Sequence, residues 1–206
     1  MRFILSGFLA GISISLGGTA FLMCDSKLAG TFLFAVGLFS ICVFGFHLFT
    51  GRVCYVFDND RSYALSLPVM WAGNLLGTLA AGFLLLQTRL APTLLERAAA
   101  VCEGKLSQGY LSAFILAVFC NLLIFIAVEG YRTIPHEVGK YLAILFGVTV
   151  FIQCGFEHCV ANMFYFTVGR AWSVRAALYL LIMTAGNGLG GVSLPLLRRA
   201  IQGRTP

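Results

Sequence analysis

The residues able to do chemistry in this chain of 206 residues are few, and most stand alone inside apolar sequence. Glu157-His158 is the most informative pair, a carboxylate and an imidazole set in the stretch Gln153–Met163. Histidine titrates near neutrality, so His158 could give a proton to a weak-acid anion or hold a positive charge for it. Glu157 could fix the orientation of that imidazole, or pair elsewhere with backbone amides. The plainer reading ends the apolar segment near Gly155 and leaves both residues in a loop. Against it, Met163-Phe164-Tyr165-Phe166 resumes the apolar character, as a re-entrant or flanking helix would. Thr50 is the partner candidate from the first half, since a hydroxyl both donates and accepts; at a helix end it could equally be a cap. Asn121 interrupts a long apolar run and could be interhelical glue. Asn74 and Asn187 lie among glycines, which suits close helix packing or the capping of broken backbone. Cys154 and His158 are spaced to share a helix face, but no further His/Cys group closes a four-ligand set, so no metal is expected. No phosphate loop, nucleophile elbow or dinucleotide fingerprint occurs, so neither a cofactor nor an enzymatic activity is expected.

The elements that carry these residues follow from composition. Hydrophobic residues make up 59% of the chain and charged residues 11%, with a mean hydropathy of +0.91. Soluble domains carry about 25% charge, so soluble-enzyme and disordered classes are excluded and an integral membrane protein is indicated. The net charge of +6 forms no patch or stripe, which argues for loop charges flanking membrane spans and against nucleic acid. The seven cysteines show no C-x-x-C spacing and read as small buried thiols.

A span needs about 20 apolar residues. Six windows qualify: Phe3–Met23, Leu28–Phe49, Tyr63–Leu86, Gly109–Val128, Val138–His158 and Ala171–Leu197. The first is read as a retained span, not a cleaved signal peptide. Pro92 followed by Thr93–Val101 predicts a short surface helix in the longest connection. Six spans put both termini on one side, with Arg2, Arg52, Arg61, Arg132, Lys140, Arg198, Arg199 and Arg204. The other side takes Lys27, Arg89, Arg97, Lys105, Arg170 and Arg175. That bias favours cytoplasmic termini in the inner membrane of the cell.

An internal repeat organises the spans. Ala72-Gly73-Asn74-Leu75-Leu76-Gly77 recurs as Ala185-Gly186-Asn187-Gly188-Leu189-Gly190, with five identities in six positions. Each copy sits in the third span of a three-span half, and two such halves insert with opposite orientation. The halves are placed at about 1–100 and 105–206 of a single transmembrane domain covering 1–206. The second span of each half is interrupted by polar groups and glycine, the pattern of broken helices lining a pathway. Gly7-x-x-x-Gly11, Gly73-x-x-x-Gly77 and Gly186-x-x-x-Gly190 are faces for close helix crossing.

Gly155-Phe156-Glu157-His158-Cys159-Val160-Ala161-Asn162-Met163 resembles the span-five motif of the formate/nitrite transporter family. Leu48-Phe49-Thr50-Gly51 resembles that family's span-two loop, Cys120-Asn121-Leu122-Leu123 its span-four motif, and Gly186-Asn187-x-x-Gly190-Gly191 its span-six motif. The likeness covers nearly the whole chain in the right order. It implies an all-α, aquaporin-like protomer of six transmembrane helices, an inverted repeat with helices two and five broken, assembled as a homopentamer with one pore per protomer. It implies conduction of small monovalent weak-acid anions, namely formate, nitrite and hydrosulfide, with formate the leading expectation and protons as co-substrate. The resemblance makes His158 and Thr50 the central polar site and puts Asn121 in the same chamber. Lys105 falls at the vestibule position, at the start of span four. Leu38, Leu48, Phe49, Phe34 and Phe151 fall near the two apolar constrictions.

Two departures stand out. Span one begins almost at Met1, so the amphipathic helix that precedes it in formate channels is expected to have no counterpart. His47 stands where many members carry an acidic residue, as a second imidazole beside the pore or a structural hydrogen bonder. Two mechanisms remain open. In one, Lys105 and backbone amides gather the anion and His158 protonates it. In the other, His158 is only a polar contact and the proton comes from water. Outside the family, a neutral-solute channel lacks its paired Asn-Pro-Ala motifs. A metal transporter or membrane enzyme using the Cys/Glu/His cluster, and a purely structural bundle, are the other readings.

Overall fold

A computed structural model describes residues 1–203 and is helical throughout. Arg204, counted above on the side of the termini, lies outside the described residues. The elements are α1 (Arg2–Met23), α2 (Lys27–Phe44), α3 (Phe49–Arg52) running into a 3-10 turn (Val53–Asp58), α4 (Arg61–Leu85), α5 (Ala91–Ser107), α6 (Tyr110–Thr133), α7 (Glu137–Gln153), α8 (Cys159–Val168) and α9 (Val174–Ile201). Helices α1, α2, α4, α6 and α9 are each long and apolar enough to cross a membrane. The expected fifth span is split between α7, of 17 residues, and α8, of 10.

Local chemistry sets the boundaries. Ser26, Asp60 and Ser173 each accept a backbone N–H three residues on, which caps α2, α4 and α9. The Ser173 cap starts the last span at Val174, not at Ala171 as expected. The second and fifth spans end five residues short of the expected Phe49 and His158. In each a glycine turns left-handed after the last helical residues, Gly45 at φ 70° and Gly155 at φ 71°. That conformation is open to glycine and costly for other residues. The surface helix is longer than the expected Thr93–Val101. It runs through Lys105, which therefore sits in its last turn and not at the start of span four.

The two halves repeat their packing. Helix α1 lies along α4, and α6 along α9. Gly7 faces Gly73 across the first pair: a Cβ on Gly7 would stand 2.7 Å from Met70 O, and one on Gly73 2.5 Å from Ile4 O. In the second pair a Cβ on Gly186 would stand 2.5 Å from Phe114 O. Backbone cannot yield as a side-chain tip can, so these glycines set the interhelical distance. Gly73→Ala is therefore expected to lower the thermal unfolding midpoint in detergent, by about 1–3 kcal/mol of overpacking. Gly104→Ala, where the space around the Cβ is open, should leave it unchanged or raise it. Equal effects of the two changes would contradict this packing.

Candidate functional site

The two breaks have the same construction. After Ile41 and after Phe151 the chain closes a left-handed turn, with Phe46 N–H donating to Ile41 O at 3.0 Å and Phe156 N–H to Phe151 O at 2.9 Å. Gly45-Phe46-His47-Leu48-Phe49 thus corresponds to Gly155-Phe156-Glu157-His158-Cys159. His47 is the counterpart of Glu157, and Leu48 of His158.

Each break is pinned by one asparagine from the third long helix of its half. Asn74 Oδ1 accepts from Phe49 N–H at 2.9 Å, while its amide donates to Gly7 O at 2.9 Å and His47 O at 3.0 Å. Asn187 Oδ1 accepts from Cys159 N–H at 2.9 Å, and its amide donates to Ala117 O and Glu157 O, both at 2.8 Å. Both asparagines are fully buried. They satisfy backbone groups that the interrupted helices leave without partners, the requirement for irregular backbone at membrane depth.

His158 is the N-cap of α8: its Nδ1 accepts from Ala161 N–H at 3.0 Å. An accepting Nδ1 carries no proton, so the ring proton is assigned to Nε2, which lies 2.9 Å from Thr50 Oγ1. Nε2–H donates, Thr50 Oγ1 accepts, and the threonine hydroxyl proton is left for another partner. Phe151 stacks on the imidazole with ring centroids 5.6 Å apart, and Phe34 meets Phe151 edge-on at 6.0 Å. Asn121 donates to Thr50 O at 2.9 Å and so holds the backbone of α3, not the imidazole.

Glu157 does not orient His158, and its carboxylate takes side chains instead of backbone amides. It accepts from Lys105 Nζ at 2.6 Å, Gln108 Nε2 at 2.7 Å and Asn162 Nδ2 at 2.8 Å. The acid is 2% exposed and the lysine 14%. The break separates Cys154, exposed beyond the end of α7, from His158 at the head of α8, so the shared helix face considered for a metal does not form.

Two cavities adjoin the Thr50–His158 pair, one at Leu48 and Gly51 and the other at His158. The wide one, about 630 Å³, is lined by Leu38, Leu48, Gly51, Arg52, Glu129 and Arg132 among others. The narrow one, about 160 Å³, is lined by Lys105, Phe151, His158, Asn162 and Tyr165 among others. Phe34, Leu38, Leu48, Phe49 and Phe151 are all buried. The first turn of α1 and the last turns of α9 lie toward the wide cavity. Arg198 reaches Glu129 at 3.0 Å, and the Phe3 ring packs tilted against His47 with centroids 5.4 Å apart. His47 Nδ1 is buried without a partner among the described residues.

The formate/nitrite transporter family model matches residues 1–199. The chain belongs to the formate/nitrite transporter family. Its relatives include an uncharacterized transporter of Bacillus subtilis, YrhG, 30% identical over 86% of this chain and 68% of that protein. A probable formate transporter of Methanothermobacter thermautotrophicus is 30% identical over 92% of this chain and 84% of its own length. A pentameric formate channel with formate bound matches the fold with a TM-score of 0.80 at 24% identity, over 98% of this chain and 97% of that one. The formate/nitrite transporter family is one of membrane channels and transporters and not of enzymes, and this member is a multi-pass membrane protein.

Gln108 and Asn162 escaped the sequence reading as partners of Glu157. Gln108 follows Lys105 by three residues in a polar stretch that reads as loop, and Asn162 is hidden in the apolar run of α8. A polar residue in the first turn of the helix that follows a carboxylate in apolar sequence was the signal available for Asn162.

Proposed function

We propose that this chain conducts small monovalent weak-acid anions through the Thr50–His158 site, formate first, with nitrite and hydrosulfide as alternatives. It acts as one protomer of a homopentamer in the inner membrane, with its termini and the wide cavity on the cytoplasmic side. The pentamer and the formate preference are drawn from the names of the similar proteins, and the orientation from the basic residues on the side of the termini. The observation that carries the reading is the buried Thr50–His158 pair, reached by a cavity that Lys105 also lines.

Lys105, Glu157, His158, Thr50 and Asn121 form the pathway, with Asn74, Asn187 and His47 as its supports. Lys105 commits one of its ammonium protons to Glu157 and turns the others to the narrow cavity, where they gather an anion. Moving a charge past Phe34 and Phe151 is far costlier than moving a neutral acid, so desolvation favours protonation of the solute. The proton comes from water in the vestibule. His158 donates a hydrogen bond, not its proton: losing Nε2–H would leave an imidazolate, and a second ring proton would set Nδ1–H against Ala161 N–H. The neutral acid passes Thr50 and His158, then Leu48, Leu38 and Phe49, and releases its proton beyond. The net event is symport of an anion with a proton.

His158→Asn tests the role of the imidazole. Asparagine is a good N-cap, so it keeps the bond from Ala161 N–H while its shorter side chain gives up the bond to Thr50. Flux should fall by no more than about tenfold, roughly the loss of one well-placed hydrogen bond, and its pH profile should keep its shape. A flattened or shifted profile would instead make His158 the proton donor.

A further inference from the structure

Tyr165 carries a polar atom that the pathway just described does not use. It stands on α8 three residues after Asn162 and seven after His158, and it lines the same narrow cavity as they do, the spacing of one helix face. Tyr165 is 3% exposed, and its hydroxyl has no hydrogen-bond partner among the described residues. Its neighbours give it none: Phe21 and Phe164 are apolar, and Cys102 Sγ bonds the carbonyl of Tyr165, not the phenol. Asn162 Oδ1 is likewise buried without a partner. Lys105 Nζ lies 6.0 Å from the centre of the Tyr165 ring. Buried polar atoms are almost always paired, so the unpaired phenol of a cavity-lining residue is a donor without its acceptor; the unpaired Asn162 Oδ1 is an acceptor and has no part in holding an anion.

We infer that Tyr165 is a specificity-determining residue of the narrow vestibule, where its hydroxyl and the Lys105 ammonium each donate to one oxygen of a two-oxygen anion, a carboxylate or nitrite. The inference rests on the weak-acid anion reading above and refines it. Hydrosulfide offers a single weak acceptor and engages only one of the two donors. Tyr165 therefore favours the oxyanions at the entrance, ahead of the step that His158 and Thr50 serve.

Tyr165→Phe removes the hydroxyl and keeps the ring, so its packing is preserved. Flux of formate, nitrite and hydrosulfide would be measured against concentration in proteoliposomes containing wild-type or variant protein. The half-saturation concentration for formate and nitrite should rise about fivefold, the value of one hydrogen bond, with that for hydrosulfide unchanged. A hydroxyl that merely holds a structural water would change the unfolding midpoint without separating the anions. Unchanged half-saturation for all three, or an equal shift for all three, overturns the inference alone. Wild-type protein that moves none of them overturns the channel reading and this inference with it.

Discussion

Replacing Lys105 with alanine should cut anion flux by about a hundredfold. The narrow vestibule is close to neutral because Lys105 and Glu157 pair at 2.6 Å. Without the lysine, the Glu157 carboxylate keeps Gln108 and Asn162 as donors and stays where the incoming anion must pass. Two like charges about 5 Å apart in an effective dielectric of about 20 repel by about 3 kcal/mol, which is about a hundredfold in rate. Lys105→Ala with Glu157→Gln removes both charges, so it should recover most of that loss while still lacking the attraction of the lysine. Stopped-flow flux in proteoliposomes separates the cases. Near wild-type flux through Lys105→Ala would remove the lysine from the pathway, and a double variant no faster than the single would remove the charge argument.

Asn187→Ala should be the most destabilising conservative truncation in the second half. It deletes one accepted and two donated hydrogen bonds at a fully buried position. It also leaves the Cys159 N–H and the Ala117 and Glu157 carbonyls without partners. A cost of about 3–5 kcal/mol follows from unsatisfied buried groups of this kind, and it falls on the turn that presents His158. Asn74→Ala should cost a similar amount and act on Thr50 instead, through Phe49 and His47. Thermal unfolding in detergent reads both. A loss below about 1 kcal/mol for either, the worth of an exposed contact, would mean that the break is held by something else.

These asparagines also show how far the sequence carries. The repeated Ala-Gly-Asn motif announces two equivalent positions and allows capping of broken backbone, because near-identical short motifs in matching spans are visible in one dimension. Their bonds are not visible, since Asn187 reaches backward 70 residues to Ala117 and 30 to Glu157. The long apolar helices are legible because the bilayer demands long apolar runs. The breaks in the expected second and fifth spans are displaced by five residues because apolar side chains (Phe46, Leu48 and Phe49; Phe156 and Cys159) still alternate with the polar ones past Gly45 and Gly155, and the left-handed turn at each glycine is what ends the helix there. The correspondence of His47 with Glu157 and of Leu48 with His158 rests on the shared Gly-Phe step, too short a signal beside 23 glycines and 19 phenylalanines. Glu157 stands out in the sequence as an acid within apolar surroundings and is buried, yet its partners Lys105 and Gln108 come from the surface helix and the connection after it. That helix was expected to end before Lys105. Helix length outside a membrane is set by caps and packing, which hydropathy does not report.

The most direct test of the account is stopped-flow flux through purified protein in proteoliposomes with internal pH recorded. Formate, nitrite, hydrosulfide and chloride would be compared at low and neutral external pH. The expected result is rapid entry of the weak-acid anions accompanied by protons, faster at the lower pH, and little entry of chloride, whose acid is too strong to form as a neutral species at these pH values. Chloride flux equal to that of formate, or formate flux without proton movement, would contradict it.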